Sequence, residues 1–352
     1  MFFKRLGAKP AGARLQKILN SPNFYQGAFR NYHPTTVMRS PTQAPATVTD
    51  LVISLTSRSE VKPPVPLPVV KSDLHALGET GPEVIWFGHS SYLIAHRGRR
   101  ILVDPIFSKY ASPVPGIIRA FGGTHTYKVE DFPDIDLLVI THDHYDHLDY
   151  ETARALRSKV KAVCTSLGVG AHLEHWGYEG ARISELDWWE SARVMGDVQI
   201  TATPARHFSG RALKRGQTLW SSFVLDFGGK RFFIGGDSGY GSHFAEIGKR
   251  FGPFDLAFVE CGQYGEGWPL IHAFPEQSAE AARDLGAKWI LPTHWAKFSL
   301  SFHPWSEPPE RVSRAVQAFD VTCVTPRIGE VLSLEKAPAT EPWWREISAR
   351  RD

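Results

Sequence analysis

A chain of 352 residues, 42% hydrophobic and 22% charged, has the composition of a globular protein with room for one large domain or two modest ones. No run approaches the ~18 apolar residues of a membrane span, and Met1-Phe2-Phe3-Lys4-Arg5 is followed by no apolar stretch of the secretory type. The formal charge of +3 is uneven: residues 1–49 hold seven Lys or Arg and no Asp or Glu, leaving 33 basic against 37 acidic residues elsewhere, a balance that gives no sign of nucleic-acid binding by the body.

Residues 1–80 read as a basic, proline-rich extension and linker. Pro10, Pro22, Pro34, Pro41 and Pro45 interrupt it, and Lys62-Pro63-Pro64-Val65-Pro66-Leu67-Pro68 predicts a stiff, extended stretch. Leu15, Ile18 and Leu19, at i, i+3 and i+4, predict a short amphipathic helix beginning near Pro10, docked either on the core or on a membrane. The charge of this arm suits an anionic lipid surface, although a solvated tail is the plainer reading of charge alone.

From Glu83 the pattern changes to short β-rich runs: 84–87, 91–94 and 100–103, with a turn at His96-Arg97-Gly98. Residues 136–140 are continuously apolar after Asp136, as in a strand buried on both faces. Further strands are expected at 198–202, 222–225, 231–234, 256–259 and 289–291, and helices at 151–157, 243–250, 275–285 and 309–319. This mixture predicts a layered α/β main domain over residues 81–335, sheet packed on sheet with helices outside, and a C-terminal tail at 336–352. No internal sequence repeat is visible. Cys164, Cys261 and Cys323 form no pairable framework and read as buried, reduced thiols of a cytosolic protein.

The residues that carry chemistry sit where predicted strands end. Ile140 is followed by Thr141-His142-Asp143-His144-Tyr145-Asp146-His147; His207, Asp237 and His294 each follow a later strand. Imidazole and carboxylate suit zinc and related divalent ions. Four donors packed as His-x-His-x-Asp-His do not easily reach one ion, so the run is expected to divide them between two ions about 3.5–4 Å apart. His142, His144 and His207 are assigned to one; Asp146, His147 and His294 to the other; Asp237 has two oxygens and bridges them. A hydroxide between the ions is the expected nucleophile. His33, His75, His96, His125, His172, His175, His243 and His303 are expected to be surface or structural.

The His-x-His-x-Asp-His run resembles the signature of the metallo-β-lactamase superfamily. Within it, Val139 to Asp149, Glu185-Leu186-Asp187-Trp188-Trp189-Glu190, Thr203 to Arg211, Leu219-Trp220-Ser221-Ser222, Gly236-Asp237-Ser238-Gly239-Tyr240 and Thr293-His294-Trp295 are similar to the N-acyl-phosphatidylethanolamine-hydrolysing phospholipase D branch and its bacterial relatives. The similarity covers about residues 83–310, with Ser21-Pro22-Asn23 and Phe29-Arg30-Asn31 also shared by bacterial relatives. It implies a metallo-β-lactamase-type αββα four-layer sandwich, two zinc ions (with Mn2+ or Fe2+ as alternatives) and phosphodiester hydrolysis. No ligand position is substituted, and the His-x-Glu variant of di-iron redox enzymes is absent because residue 144 is His. An ascorbate-phosphate lactonase branch shares Phe87-Gly88-His89-Ser90-Ser91, so fold and metals are firmer than substrate.

The resemblance also makes Asp104 the carboxylate that steadies a metal-binding histidine from behind. His89 either lines the pocket or hydrogen-bonds within the core. His272 is expected to donate to a phosphoryl oxygen, which with Asp146 and Asp237 completes the candidate catalytic set. Tyr264 and Trp268 are candidates for contact with an acyl chain, whereas Trp188, Trp189, Tyr240 and Trp295 are expected in the core. The leading function is a dinuclear phosphodiesterase acting on a phospholipid-like or smaller substrate. The alternatives are a lactonase or other ester hydrolase, and a non-catalytic metal or lipid sensor. A cytoplasmic protein is expected, peripheral at the inner membrane face through its basic N-terminus, without nucleic acid and with a homo-oligomer allowed. Pocket shape should discriminate: a long apolar groove favours lipid, a small polar cup a lactone or sugar phosphate.

Overall fold

The computed structural model describes residues 2–38, 60–79, 81–211, 214–336 and 340–350. Arg39, Pro41 and Pro45 of the predicted extension, and its boundary residue Thr80, lie outside the described residues. The chain begins with helices α1 (Phe2–Arg5) and α2 (Gly12–Leu19) and a small hairpin, β1 (Phe24–Tyr25) with β2 (Ala28–Phe29). It then lays down β3 (Glu83–Trp86), β4 (Tyr92–His96), β5 (Arg99–Val103), β6 (Ile135–Ile140), α3 (Tyr150–Leu156), β7 (Val160–Ser166), α4 (Gly170–His175) and β8 (Ile183–Leu186). A second series follows: β9 (Ser191–Met195), β10 (Val198–Thr203), β11 (Ser222–Phe227), β12 (Lys230–Ile234), α5 (His243–Phe251), β13 (Phe254–Glu260), α6 (Pro275–Asp284), β14 (Ala287–Thr293), α7 (Glu307–Ala315) and β15 (Thr322–Cys323). Finally β16 (Val331–Ser333) returns to pair with β3, and α8 (Trp344–Ser348) follows.

The two large sheets repeat one pairing scheme. Sheet one runs β16-β3-β4-β5-β6-β7-β8 and sheet two β9-β10-β11-β12-β13-β14-β15. In each, three antiparallel pairings are followed by three parallel ones. Side-chain alternation sorts the residues into layers. Along β3, Val84 and Trp86 face the core between the sheets, while Ile85 and Phe87 belong to the outer core beneath the helices. The sheets meet directly: Tyr92 of β4 stacks on Phe258 of β13 with ring centroids 3.8 Å apart. Ala153, Leu156 and Leu173 of α3 and α4 cover sheet one, and Phe244, Ile247, Ala279, Ala282 and Val312 of α5 to α7 cover sheet two. The result is the αββα sandwich.

Every predicted strand and helix of the main domain is present, with ends shifted by at most four residues; the last helix stops at Ala315 and continues as a 3-10 turn, Val316–Ala318. Strand β7 has no strong apolar signature because Thr165 and Ser166 sit in it buried. Each hydroxyl donates to a backbone carbonyl, of Ile140 and Thr141 respectively, which removes the penalty of burying it. Asp136 is tolerated in the buried β6 for the same reason: it accepts from Arg100 N at 2.9 Å and from Lys161 Nζ at 2.9 Å.

The N-terminal segment is strapped to the body. Of the predicted helix face only Ile18 is buried, among Leu167, Trp188, Leu219 and Trp220, while Leu15 and Leu19 remain exposed. Three of the arm's cations are matched by acidic groups of the body: Arg5 with Glu151, Arg14 with Glu174 and Glu185, and Lys17 with Glu190. Much of the arm's charge is therefore spent within the chain rather than left for an external surface. Within the stretch expected as a tail, the described residues 340–350 also pack: Trp343 and Trp344 are buried against Trp295, with centroids at 5.4 and 5.7 Å. Cys164 and Cys261 are buried and Cys323 half-buried, none in a disulfide. Among the described residues no helix is long and apolar enough to cross a membrane.

Candidate metal centre

Strand direction explains why distant residues meet. In sheet one β3, β5 and β6 run the same way, and in sheet two β10, β12, β13 and β14 do so. The residues at or just beyond their C-terminal ends are His89, Asp104, the 142–147 run, His207, Asp237, Glu260 and His294, and all gather at one edge of the sandwich. The crossing is tight. His89 and His294 both adopt left-handed backbone, with φ of 55° and 67°, and their loops exchange hydrogen bonds, His294 N to His89 O at 3.0 Å and His89 N to Trp295 O at 2.8 Å. Gly236, at φ 60°, lets the Asp237 loop pass Thr141, whose Cβ would lie 2.9 Å from any side chain there.

All seven predicted ligands converge. His144 Nδ1 lies 3.0 Å from His142 Nε2 and 3.1 Å from His207 Nε2. Asp237 Oδ2 is 3.8 and 3.7 Å from those two Nε2 atoms. On the other side His294 Nε2 is 3.3 Å from Asp146 Oδ2, and His147 Nε2 is 3.7 Å from it. Asp237 again completes the group, its Oδ1 3.1 Å from His147 Nε2 and its Oδ2 3.2 Å from His294 Nε2. Asp237 is thus common to two donor groups, as a bridging carboxylate must be.

These residues fit a pair of divalent ions. Donors placed tetrahedrally about 2.0–2.1 Å from zinc lie about 3.4 Å from one another, close to the spacing here. His147 Nε2 and Asp237 Oδ1 are buried without a hydrogen-bond partner, a costly arrangement that a cation relieves. The electrostatics agree. Burial works against the charged carboxylate of Asp237, yet His147 and His294 outweigh it and hold its pKa well below the ordinary range; Asp146 behaves likewise, with His147 the strongest opposing neighbour. Burial also opposes charge on His294, but Asp237, Asp146 and Glu260 raise its pKa to about 10. Protons stand here in place of cations, and metal binding would release them.

The ligands are oriented from behind. Asp104 Oδ2 accepts from His147 Nδ1 at 2.8 Å and from Thr141 Oγ1 at 2.6 Å, while Oδ1 accepts from Thr141 N at 2.8 Å. This is the role expected of it. His207 Nδ1 donates to Ile271 O at 2.9 Å. Asn31, from the N-terminal strap, clamps the His207 backbone, donating to its carbonyl at 2.7 Å and accepting its N–H at 3.0 Å.

His89 is fully buried, with Nε2 3.0 Å from Asp146 Oδ2 and no partner for Nδ1. A proton on Nδ1 would be a buried orphan donor, so the favoured tautomer carries it on Nε2 and donates it to Asp146. Burial, reinforced by the charge of His294, lowers the His89 pKa to about 3 and keeps the ring neutral. His89 therefore holds a metal-site carboxylate and does not line the cavity. His272 does line it. Its Nδ1 donates to Glu260 Oε2 at 2.7 Å, leaving Nε2 as the ring's unengaged nitrogen on a residue of the cavity floor.

Glu260 was not singled out in the sequence. Buried at the end of β13, it accepts from Ser238 N at 2.7 Å and Ala273 N at 3.2 Å, and its Oε2 lies 3.3 Å from His294 Nδ1. A charge directly after the apolar run 256–259, one step before Cys261-Gly262, was the available signal. Gln263 was also missed; its side chain ties together His294 O, Phe298 O and Leu300 N. Tyr264 corrects an expectation. It is buried, stacks on His303 at 4.4 Å and donates to Glu307 Oε1 at 2.5 Å, and so is absent from the cavity lining. Its phenol is spent within the fold, and the neighbouring Trp268 supplies the aromatic wall instead.

The cavity over the metal centre encloses about 240 Å³. Its floor is His144, Asp146, His207, Asp237, His272 and His294; its wall is mainly Val37, Met38, Phe208, Trp268, Ile271 and Leu300. It is neither of the two expected extremes, but a compact cup with a polar floor and an apolar rim.

Residues 99–295 match the family model described as a β-lactamase superfamily domain. An uncharacterised protein of Mycobacterium tuberculosis is 37% identical over 344 residues, 97% of this chain and 91% of that one. N-acyl-phosphatidylethanolamine-hydrolyzing phospholipase D 1 of Caenorhabditis elegans is 28% identical over 287 residues, 75% of this chain and 78% of that one. Among solved structures, Igni18, a metallo hydrolase from Ignicoccus hospitalis, superposes with a TM-score of 0.56 at 20% identity, covering 71% of this chain and 97% of that one. CmlA, a diiron β-hydroxylase from Streptomyces venezuelae, also gives 0.56, at 21% identity over 72% of this chain and 54% of that one.

Proposed function

Since this chain belongs to the β-lactamase superfamily and is a metal-dependent hydrolase of it, we propose that it hydrolyses a phosphodiester, its natural substrate being a phospholipid-like diester of the N-acyl-phosphatidylethanolamine kind. The observation that carries the reading is Asp237, whose carboxylate lies within 3.8 Å of His142 and His207 on one side and of His147 and His294 on the other, on the floor of a largely apolar-walled cavity. The resemblance to the nematode phospholipase D supports phosphorus–oxygen as the bond broken. Zinc is the proposed metal because imidazole predominates among the donors, with Mn2+ or Fe2+ as alternatives; the CmlA neighbour is a diiron enzyme.

When bound, two divalent ions supply Lewis acidity, which neutralises charge on phosphoryl oxygens and makes water acidic enough to attack at neutral pH. The chain's own residues do the rest. Asp237 and Asp146 fix the donor geometry. His272, pinned through Nδ1 by Glu260, presents Nε2 where it can pass a proton to the departing oxygen. Phe208, Trp268, Ile271 and Leu300 exclude bulk water and strengthen the local electrostatics.

A cup of about 240 Å³ takes a phosphate and headgroup, not a whole phospholipid, so the acyl chains stay outside. Of eleven exposed large hydrophobic residues among those described, six belong to the strap: Phe3, Leu15, Leu19, Tyr25, Tyr32 and Met38. Met38 also lines the cavity. Peripheral contact with the inner face of a membrane through these side chains, rather than through net charge, would bring a lipid headgroup to the metal centre.

The test is a substrate panel with full-length, zinc-loaded protein: N-acyl-phosphatidylethanolamine in mixed micelles, bis(p-nitrophenyl) phosphate and a series of lactones. Phosphatidic acid release and diester cleavage, both abolished by Asp237→Ala, are expected. Lactone opening without any diester cleavage would overturn the proposal in favour of an ester hydrolase.

A further inference from the structure

Arg215 is the single lysine or arginine among the described residues lining the metal cavity. The two arginines that precede it, Arg206 and Arg211, are otherwise engaged, and the adjacent Lys214 is exposed and does not line the cavity. Arg206 donates to Thr35, Pro34 O and Tyr240 O, and Arg211 to the carbonyls of Arg5, Asp143 and Leu148. Arg215 has no ion pair or hydrogen bond from its side chain among the described residues; its guanidinium lies over the Phe208 ring, 4.9 Å from the centroid. Phe208 meets His144 edge-on at 4.5 Å and lies 4.9 Å from His207. Gly210 leaves the space between open: a Cβ there would be 3.5 Å from Arg215 Cγ and 3.9 Å from His144 Nε2. A single aromatic ring thus separates an uncommitted cation from the metal-binding floor.

Apart from the faces of Phe208, already occupied by Arg215, and Trp268, the rest of the cavity offers no charged partner to a positive group. Its two carboxylates, Asp146 and Asp237, are consumed by the donor groups, and its wall is apolar. Arg215 is exposed, and a guanidinium, more weakly hydrated than an ammonium, can rest on a phenyl face and keep its planar fork of donors for an oxyanion. An ammonium brought into the same cup meets a like charge and finds no carboxylate to pair with.

We infer that Arg215 selects substrates by headgroup charge, admitting net-anionic phosphodiesters, whose second arm is neutral or negative, over zwitterionic diesters that carry an ammonium. An amine headgroup whose nitrogen is acylated belongs to the admitted class, and the free amine does not. This rests on the phosphodiesterase reading above and adds to it the residue that discriminates.

The experiment compares wild type, Arg215→Gln and Arg215→Glu, each full-length and zinc-loaded, with metal content measured to show that all hold the same complement. Turnover of bis(p-nitrophenyl) phosphate, a monoanion, is set against that of p-nitrophenyl phosphorylcholine, a zwitterion. Binding of diethyl phosphate and of glycerophosphocholine is measured in parallel by calorimetry, without turnover. Wild type should favour the anion roughly tenfold, mostly through KM. Arg215→Gln should shrink that preference to under about threefold and Arg215→Glu should reverse it, with all differences narrowing in high salt. Equal handling of both diesters by wild type, or an unchanged ratio in Arg215→Glu, overturns the role of Arg215 while leaving the hydrolase reading standing. Absence of turnover with a binding preference that disappears in Arg215→Glu does the opposite: it supports Arg215 and removes the phosphodiesterase.

Discussion

Replacing Asp104 by Asn should cost the protein its second metal ion while sparing the first. The carboxylate is buried and accepts three hydrogen bonds: from His147 Nδ1 at 2.8 Å, Thr141 Oγ1 at 2.6 Å and Thr141 N at 2.8 Å. All three partners are donors, so either orientation of an Asn amide sets its NH2 against at least one N–H or O–H. The change also removes the negative charge facing His147. A buried hydrogen bond to a charged group is worth about 1.5–3 kcal/mol, and loss of a ligand's outer partner typically weakens metal binding roughly 10- to 100-fold. The two figures agree, since 1.4 kcal/mol is about tenfold. His142 reaches Asp104 only at one remove, its Nδ1 lying 3.0 Å from the Thr141 Oγ1 that donates to Asp104, and His144 and His207 have no such link, so the first ion should largely stay. The assay is competition with a graded series of chelators, metal content being read by elemental analysis and turnover recorded alongside. Asp104→Asn protein that keeps both ions at wild-type affinity, or loses both in parallel, would refute the assignment of Asp104 to His147.

Three further outcomes follow from the same geometry. His89→Gln, which keeps a donor toward Asp146, should retain second-metal affinity within a few-fold, while His89→Ala loses about tenfold; equal losses in the chelator titration would mean that ring packing matters and proton donation does not. Asn31→Ala removes both hydrogen bonds to the His207 backbone; it should lower Tm by a few degrees and weaken the first metal site, and an effect on Tm alone would detach the strap from the centre. Lys297 is buried with Nζ donating to Phe87 O at 3.2 Å and Ile106 O at 2.7 Å, and burial pulls its pKa from 10.5 down to about 7, with Asp149 opposing only in part. Between those values the unfolded chain holds the proton and the folded chain does not, so this residue makes stability rise with pH, by up to about 1.4 kcal/mol per unit. Denaturant unfolding of wild type and Lys297→Met from pH 7 to 9.5 should differ by that slope, and parallel curves would show that the amine keeps its proton in the fold.

The sequence alone reached the chemistry because metal ligation restricts residue type severely. Imidazoles and carboxylates directly after apolar strands, above all the run at 142–147, have few structural uses, and the strands before them announce themselves by hydrophobic pattern. The same pattern was enough for the layered architecture, since two-residue alternation and 3.6-residue periodicity are local properties. Strand β7 escaped because its buried hydroxyls are satisfied by carbonyls of β6 and the turn after it, which no local window contains. What surrounds the metals was set by tertiary structure for the same reason. Glu260, Asn31 and Gln263 owe their roles to partners that chain topology brings together, and Tyr264 lost its expected role to Glu307, its hydrogen-bond partner across the fold. The cup was decided still later, when Val37 and Met38 of the strap and Arg215 of a distant loop came to stand over one edge of two sheets. Donor identity is written residue by residue. The wall that selects what reaches those donors arises only where strand direction and long-range packing place otherwise unremarkable side chains side by side.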